Sequence, residues 1–163
     1  MAREFSLHDE VVVRAPIERC FLLSTSVAIV QRELRMRPVR GRTTGLVLGG
    51  DTVRWEGWKL GLPQMHESLI EDYRPPTFFR DRMIAGRFAS FSHDHNFIPQ
   101  AAGAVLLADD LRFTMRWGIF GEVIGQSLLV PDIRGLLRRR FALLKHIAES
   151  EEWRRYLPDG ASS

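Results

Sequence analysis

A chain of 163 residues, 45% hydrophobic and 26% charged, fits a single domain able to bury a continuous core, and one cysteine excludes an intrachain disulfide. The net charge of +3 is carried almost wholly by Arg, with Lys only at 59 and 145; the clusters Arg32, Arg35, Arg37, Arg40, Arg42 and Arg138, Arg139, Arg140 lack interleaved aromatics or a nucleic-acid motif, so they read as solvated faces without a nucleic-acid partner. No apolar signal core and no run near the ~20 residues of a membrane span occur, so a soluble, cytoplasmic protein without stable membrane insertion is expected.

Residues 4–14 alternate as a strand, with Phe5, Leu7, Val11 and Val13 on one face. Pro16 suits a first helical position, and residues 16–23 read as a short helix in which Cys20 is a small buried hydrophobe; residues 27–34 form a second. Residues 35–44 are a basic connector too polar for core. The glycines at 41, 45, 49 and 50 match neither a dinucleotide nor a Walker fingerprint and instead flank a short strand, 46–48.

A meander follows: strands over 51–60 and 64–73 across a turn at 61–63, then 77–84, 88–98 and 104–116, joined by loops at 85–87 and 99–103. Thereafter the period changes to about 3.6. Ile133, Leu136, Leu137, Phe141, Leu144, Ile147 and Ala148 make one stripe, with Arg134, Arg138, Arg139, Lys145 and Glu149 away from it, which predicts an amphipathic helix that starts between Gly121 and Ile133 and reaches Ile147. Residues from Trp153 onward read as a fraying tail. The whole predicts one α+β domain over 1–155 and a flexible tail over 156–163: a twisted antiparallel sheet of six or seven strands around a long C-terminal helix, with two short helices after the first strand.

In the strand 88–98, side chains alternate, placing Phe91, His93, His95 and Phe97 inward and Ser90, Ser92, Asp94 and Asn96 outward. An inner row of two Phe and two His suits the wall of a lined cavity. Pairing Ile84 with Phe88 and Ile98 with Ala104 sets Phe79 opposite His93, Asp81 opposite Phe91 and His93 opposite Asp109, and gathers Asp81, His93 and Asp109 into a buried cluster. By the same parity Trp55, Phe79, Met83, Phe91, Phe97, Leu107, Leu111, Phe113 and Met115 form the apolar wall. His66 could join from the neighbouring strand; His8 and His146 belong to the surface. No nucleophile stands on the inner row, no cofactor motif is present, and His93, His95, Asp81 and Asp109, although competent ligands, are not assigned a metal.

The order and spacing of residues 13–18 with Phe21, 50–55, 79–81, 88–97, and Asp109 with Leu111 and Phe113 resemble the START-like, or SRPBCC, superfamily of helix-grip proteins, near bacterial cyclase/dehydrase-like sequences, over nearly the whole chain. Pro131 departs from the continuous helix of such relatives. The resemblance implies a cavity for a hydrophobic or amphipathic small molecule between sheet and helix. The expected function is therefore binding or carriage of a lipid, isoprenoid or polyketide-like aromatic, with Trp55, Phe79, Asp81, Met83, Phe91, His93, His95, Phe97, Leu107, Asp109, Leu111 and Phe113 at the ligand. The alternative is a cyclase or dehydratase using His93 with Asp109 or Asp81. A third class, a protein-interaction module built on the connector 32–42, would require the cavity to be filled by side chains.

Overall fold

Seven strands take up the period-two segments: β1 (Glu4–Val13), β2 (Arg37–Gly41), β3 (Thr52–Lys59), β4 (Leu62–Arg74), β5 (Phe78–Ala85), β6 (Ser90–Pro99) and β7 (Val105–Thr114). This structure, a computed structural model, describes residues 2–59 and 61–159. The strands form one antiparallel sheet in the order β1-β7-β6-β5-β4-β3-β2, so β2 to β7 meander and the chain's first strand closes onto its last. Between β1 and β2 lie α1 (Ile17–Ser24) and α2 (Val27–Leu34). After β7 the chain is helical from α3 (Gly118–Ile124) through a π turn (Gly125–Leu129) into α4 (Val130–Glu149). No helix among the described residues is long and apolar enough to cross a membrane.

The stripe Ile133, Leu137, Phe141, Leu144, Ile147 and Ala148 is buried against the sheet, as its spacing predicts. Pro131 does not break the helix. A proline lacks the N–H that the preceding turn would receive, and the π turn just ahead carries the axis past it. The helix begins at Gly118, earlier than expected, because its first turns touch the sheet through glycines, which leave no apolar stripe to read. A Cβ at Gly125 would stand 2.9 Å from the Phe5 ring and 3.1 Å from Met115 Cγ. The apolar side chains here, Trp117, Ile119, Phe120, Val123 and Leu128, face outward instead. We expect Gly125→Val to destabilise the fold by about 1–3 kcal/mol despite its better helix propensity, because the Phe5 ring is stacked on Phe113 and cannot yield freely. Denaturant unfolding measures this, and an unchanged midpoint would mean that the helix start can lift off the sheet.

Two apolar clusters share the interior. One gathers Phe21, Trp55, Ile70, Phe79, Phe97, Leu107, Phe141, Leu144 and Trp153; the other Phe5, Met83, Phe88, Leu111, Phe113, Met115, Ile133 and Leu137. Several expectations are corrected here. The basic connector contains the edge strand β2, paired with β3 and largely exposed, where charge and Pro38 protect an open edge. Leu46 makes only an isolated bridge to Ser26, so residues 46–48 are not a strand. Lys59 pairs with Leu62, so the expected turn at 61–63 moves back toward Gly61 and Pro63 lies within β4; Leu60 lies outside the described residues. The tail does not fray at Trp153: a short 3-10 helix (Glu151–Arg155) seats Trp153 and Leu157 in the core, and Arg32 bonds both Glu152 and the Tyr156 hydroxyl. Residues 160–163 lie outside the described part.

Both hairpins around β6 are shifted by two residues from the expected register. Phe88 leaves the ladder to plug the second cluster, its ring 5.2 Å from Phe91 and 5.1 Å from Phe113, which widens the β5–β6 connection. The β6–β7 loop keeps five residues but runs 100–104, closed by Gln100 N–H to the Ala104 carbonyl, so Pro99 pairs with Val105. A two-residue shift preserves which face each side chain takes.

Candidate functional site: a cavity above a buried ionic cluster

With the observed register His95, not His93, faces Asp109, Asp81 faces His93, and Phe79 faces His95. Asp109 sits on the inward face of β7 between Leu107 of one apolar cluster and Leu111 of the other. On α4, Arg140 sits likewise between Leu137 and Phe141. Charged groups therefore meet at the seam of the two clusters. Arg140 donates from Nε to Asp109 Oδ2 at 2.8 Å and from Nη1 to both carboxylate oxygens of Glu33 on α2, at 3.1 and 2.9 Å. Its Nη2 lies 3.1 Å from His95 Nδ1, which is also 3.1 Å from Asp109 Oδ1; one tautomer can serve only one of these neighbours. His93 brings Nε2 within 3.0 Å of Asp109 Oδ2, off the line of a hydrogen bond. Its ring lies 3.9 Å from that of His95, which in turn stacks on Phe79 at 4.3 Å.

Burial sets the electrostatics. It drives His95 down to about 3, with the neighbouring His93 adding to the effect, so His95 is neutral in the fold. Burial pushes Asp109 upward, but Arg140 and the two imidazoles outweigh it and hold the carboxyl well below its ordinary range. Glu33 is raised by burial, against the pull of Arg140. Burial alone would lower Arg140; Glu33 and Asp109 more than reverse it. Side-chain oxygens and nitrogens of His93, His95 and Asp109 cluster within 4.8 Å, a spacing open to a metal ion. The guanidinium, which cannot lose its charge, already bonds Asp109 and contacts His95, so the donor set fits Arg140 better than a second cation.

Next to this cluster opens a cavity of about 500 Å³, within the range of small-molecule sites. Of the expected site residues, Trp55, Phe79, Asp81, Phe91, His93, His95 and Leu111 line it. Met83, Phe97, Leu107 and Phe113, and Met115 with them, lie in the apolar clusters away from its wall, because inward-facing parity cannot separate cavity wall from packed core. Asp109 is withdrawn behind the two histidines. His66 does join, opposite Trp55 on β4 and edge-on to Phe91 at 5.2 Å. Glu33 and Arg140 are the residues that sequence reasoning misses, since the run 138–140 reads as a solvated face. The available signal is position: Glu33 lies four residues after Ile29 and Arg140 three after Leu137, each on the apolar side of its helix. His8 and His146 are exposed, as expected.

Asp81 is the group left open. Its Oδ1 is buried without a hydrogen-bond partner among the described residues, and burial raises its pKa while His66, His93 and a hydrogen bond from the Ser68 side chain partly hold it down. His66 is lowered by burial, with Asp81 pulling the other way. At the mouth stand Arg35, Lys59, Arg87 and Arg139, with Asp132 bonded to Lys59.

A twisted antiparallel sheet gripping a long C-terminal helix, with two short helices after the first strand and a cavity between, is a helix-grip fold. Solved structures share it: TTHA0849 from Thermus thermophilus (TM-score 0.68, 16% identity, 87% of this chain and 95% of that one), SA2116 from Staphylococcus aureus, a protein of unknown function (0.72, 10%, 93% and 97%), and norcoclaurine synthase from Thalictrum flavum (0.68, 10%, 91% and 96%). At these identities the likeness is one of fold. No protein-family model matches the sequence, and no curated protein matches it.

Proposed function

We propose that the protein binds and carries a hydrophobic or amphipathic small molecule, of lipid, isoprenoid or polyketide-like aromatic type, in this cavity, as a soluble cytoplasmic protein. The observation that carries the reading is a cavity of about 500 Å³ walled by Trp55, Phe79, Phe91 and Leu111 with a few inward polar groups, among them a buried carboxylate oxygen without a partner among the described residues. Filling the cavity with side chains would have favoured the protein-interaction reading of residues 32–42; moreover, Arg32 and Arg42 are engaged within the chain, with Glu152 and Asp51. Proteins of this fold include norcoclaurine synthase in complex with dopamine and hydroxybenzaldehyde, and the di-domain ARO/CYC protein BexL, and this supports a small-molecule cavity by analogy of fold.

An environment-sensitive apolar dye should bind at one per chain, quench Trp55 fluorescence and be displaced by long-chain or polycyclic compounds; absence of dye binding would overturn the reading. The alternative, a cyclase or dehydratase, draws on one observation: Asp81 faces His93 across the β5–β6 ladder, and both line the cavity. Asp109, bonded to Arg140, is less suited to that role. Native mass spectrometry of protein from its own host separates the two, since a carrier retains its ligand unchanged and an enzyme converts it.

A further inference from the structure

Two sets among the polar groups that line the cavity differ in character. Around the mouth are Arg35, Lys59, Arg87 and Arg139; on the sheet inside are His66, Asp81 and His93, contributed by β4, β5 and β6. Among the described residues no Lys or Arg makes a hydrogen bond to the inner set. Arg140 and Glu33 also line the cavity, but Arg140 is already held by Glu33, Asp109 and His95. His93 turns Nε2 to Asp109, which leaves Nδ1 for the cavity, and His66 meets Phe91 edge-on. Asp81 Oδ1 has no hydrogen-bond partner among the described residues.

We propose that His66, Asp81 and His93 form a cup for a neutral hydroxyl group, a phenol or alcohol carried on an apolar ring system or chain, and that the ligand enters with this end first. The inference rests on the reading of the cavity as a ligand site. A hydroxyl both donates and accepts, so it satisfies Asp81 Oδ1 while taking a hydrogen bond from an imidazole N–H. A carboxylate or phosphate at the same place would face Asp81, with Asp109 and Glu33 near by, and the Arg140 guanidinium is already committed to those two. An ammonium would have Asp81 as its partner but two imidazoles and the Arg140 guanidinium as neighbours. Burial raises Asp81 as well, which lessens the negative charge available to an ammonium. Natural folds rarely leave a buried polar atom unpaired without a use for it, and a ligand hydroxyl supplies the missing partner.

The test is displacement of an apolar dye at pH 7 by four probes of one ring system: naphthalene, 2-naphthol, 2-naphthoate and 2-naphthylmethylamine. Wild-type protein should bind 2-naphthol about tenfold or more tighter than naphthalene, and the charged probes no better than naphthalene. In Asp81→Leu the naphthol advantage should fall to within about threefold of naphthalene measured on the same variant. That variant removes a buried carboxylate oxygen that has no partner among the described residues, at the loss of the bond from Ser68, so its melting temperature should stay close to that of wild type; if it does not fold, the wild-type series still decides. Equal binding of naphthol and naphthalene, or preference for either charged probe, overturns the cup while leaving the cavity reading intact. Failure of the dye to bind at all removes the cavity reading, and the cup with it.

Discussion

Arg140→Met should lower the free energy of unfolding by about 3–5 kcal/mol, the largest single-residue effect expected in this protein. Met keeps much of the aliphatic volume of Arg but leaves Glu33 and Asp109, 5% and 2% exposed, as two buried carboxylates facing one another without the guanidinium. A domain of this size has roughly 5–15 kcal/mol in all, so the variant sits near the limit of folding. At about 2–4 °C per kcal/mol the melting temperature should drop by roughly 6–20 °C. The stabilising agent is the pairing rather than the charge itself. A triple variant, Glu33→Leu, Asp109→Leu and Arg140→Met, removes every charge together and should recover most of the loss, since a buried ion cluster is often no better than apolar packing of similar volume. Urea unfolding of both variants measures the difference. If the triple variant is as unstable as the single one, the loss came from packing of the Arg140 stem and not from stranded carboxylates.

Acid should act on this protein through His95. Its folded-state pKa of about 3 lies below the ordinary 6.5, so between those values the unfolded chain takes up a proton that the folded chain refuses. The contribution is complete above pH 6.5 and is lost as pH falls toward 3, with a limiting slope of about 1.4 kcal/mol per pH unit. Other groups in the cluster titrate too, and their signs differ. Asp109, held low, contributes stability that is lost below its ordinary 3.8. Glu33 and Asp81, both raised by burial, oppose His95, because above their ordinary values the folded state is the one that gains the proton. Total stability against pH therefore mixes these contributions, whereas a variant difference isolates one. His95→Asn keeps an acceptor for Arg140 but cannot titrate, so its stability should fall less steeply than wild type between pH 6.5 and about 4, by about 1 kcal/mol per pH unit. Parallel curves for the two proteins would show that His95 is protonated in the fold and that burial does not control it.

Much of the site's geometry follows from parity. Because side chains alternate along a strand, the sequence places Phe91, His93 and His95 on the inner face, with Asp81 and Asp109 turned the same way on their own strands, and a register slip of two residues leaves that assignment standing. The slip does exchange partners: His95 takes the place opposite Asp109, and Asp81 comes to face His93. Partner identity depends on where each hairpin turns. That is decided by Phe88 leaving the ladder to fill the second apolar cluster and by Pro99 extending β6, both consequences of packing and turn geometry rather than of alternation.

The sequence by itself determined the α+β class, the long amphipathic helix after β7, and the inward set of aromatic, imidazole and carboxylate groups, because periods of two and 3.6 are local properties of a chain. It did not determine which inward residues line a cavity and which are packed solid. Trp55 and Phe97 carry the same kind of signal, yet only Trp55 reaches the cavity, because Phe97 packs against Phe21 of α1, ring centroids 5.3 Å apart. Nor could it reveal that Glu33 and Arg140, 107 positions apart, meet at the seam of two apolar clusters. A charged residue on an apolar helix face is ambiguous until its partner is known. That partner is supplied by a different element, and only the tertiary structure brings the two to 2.9 Å from each other.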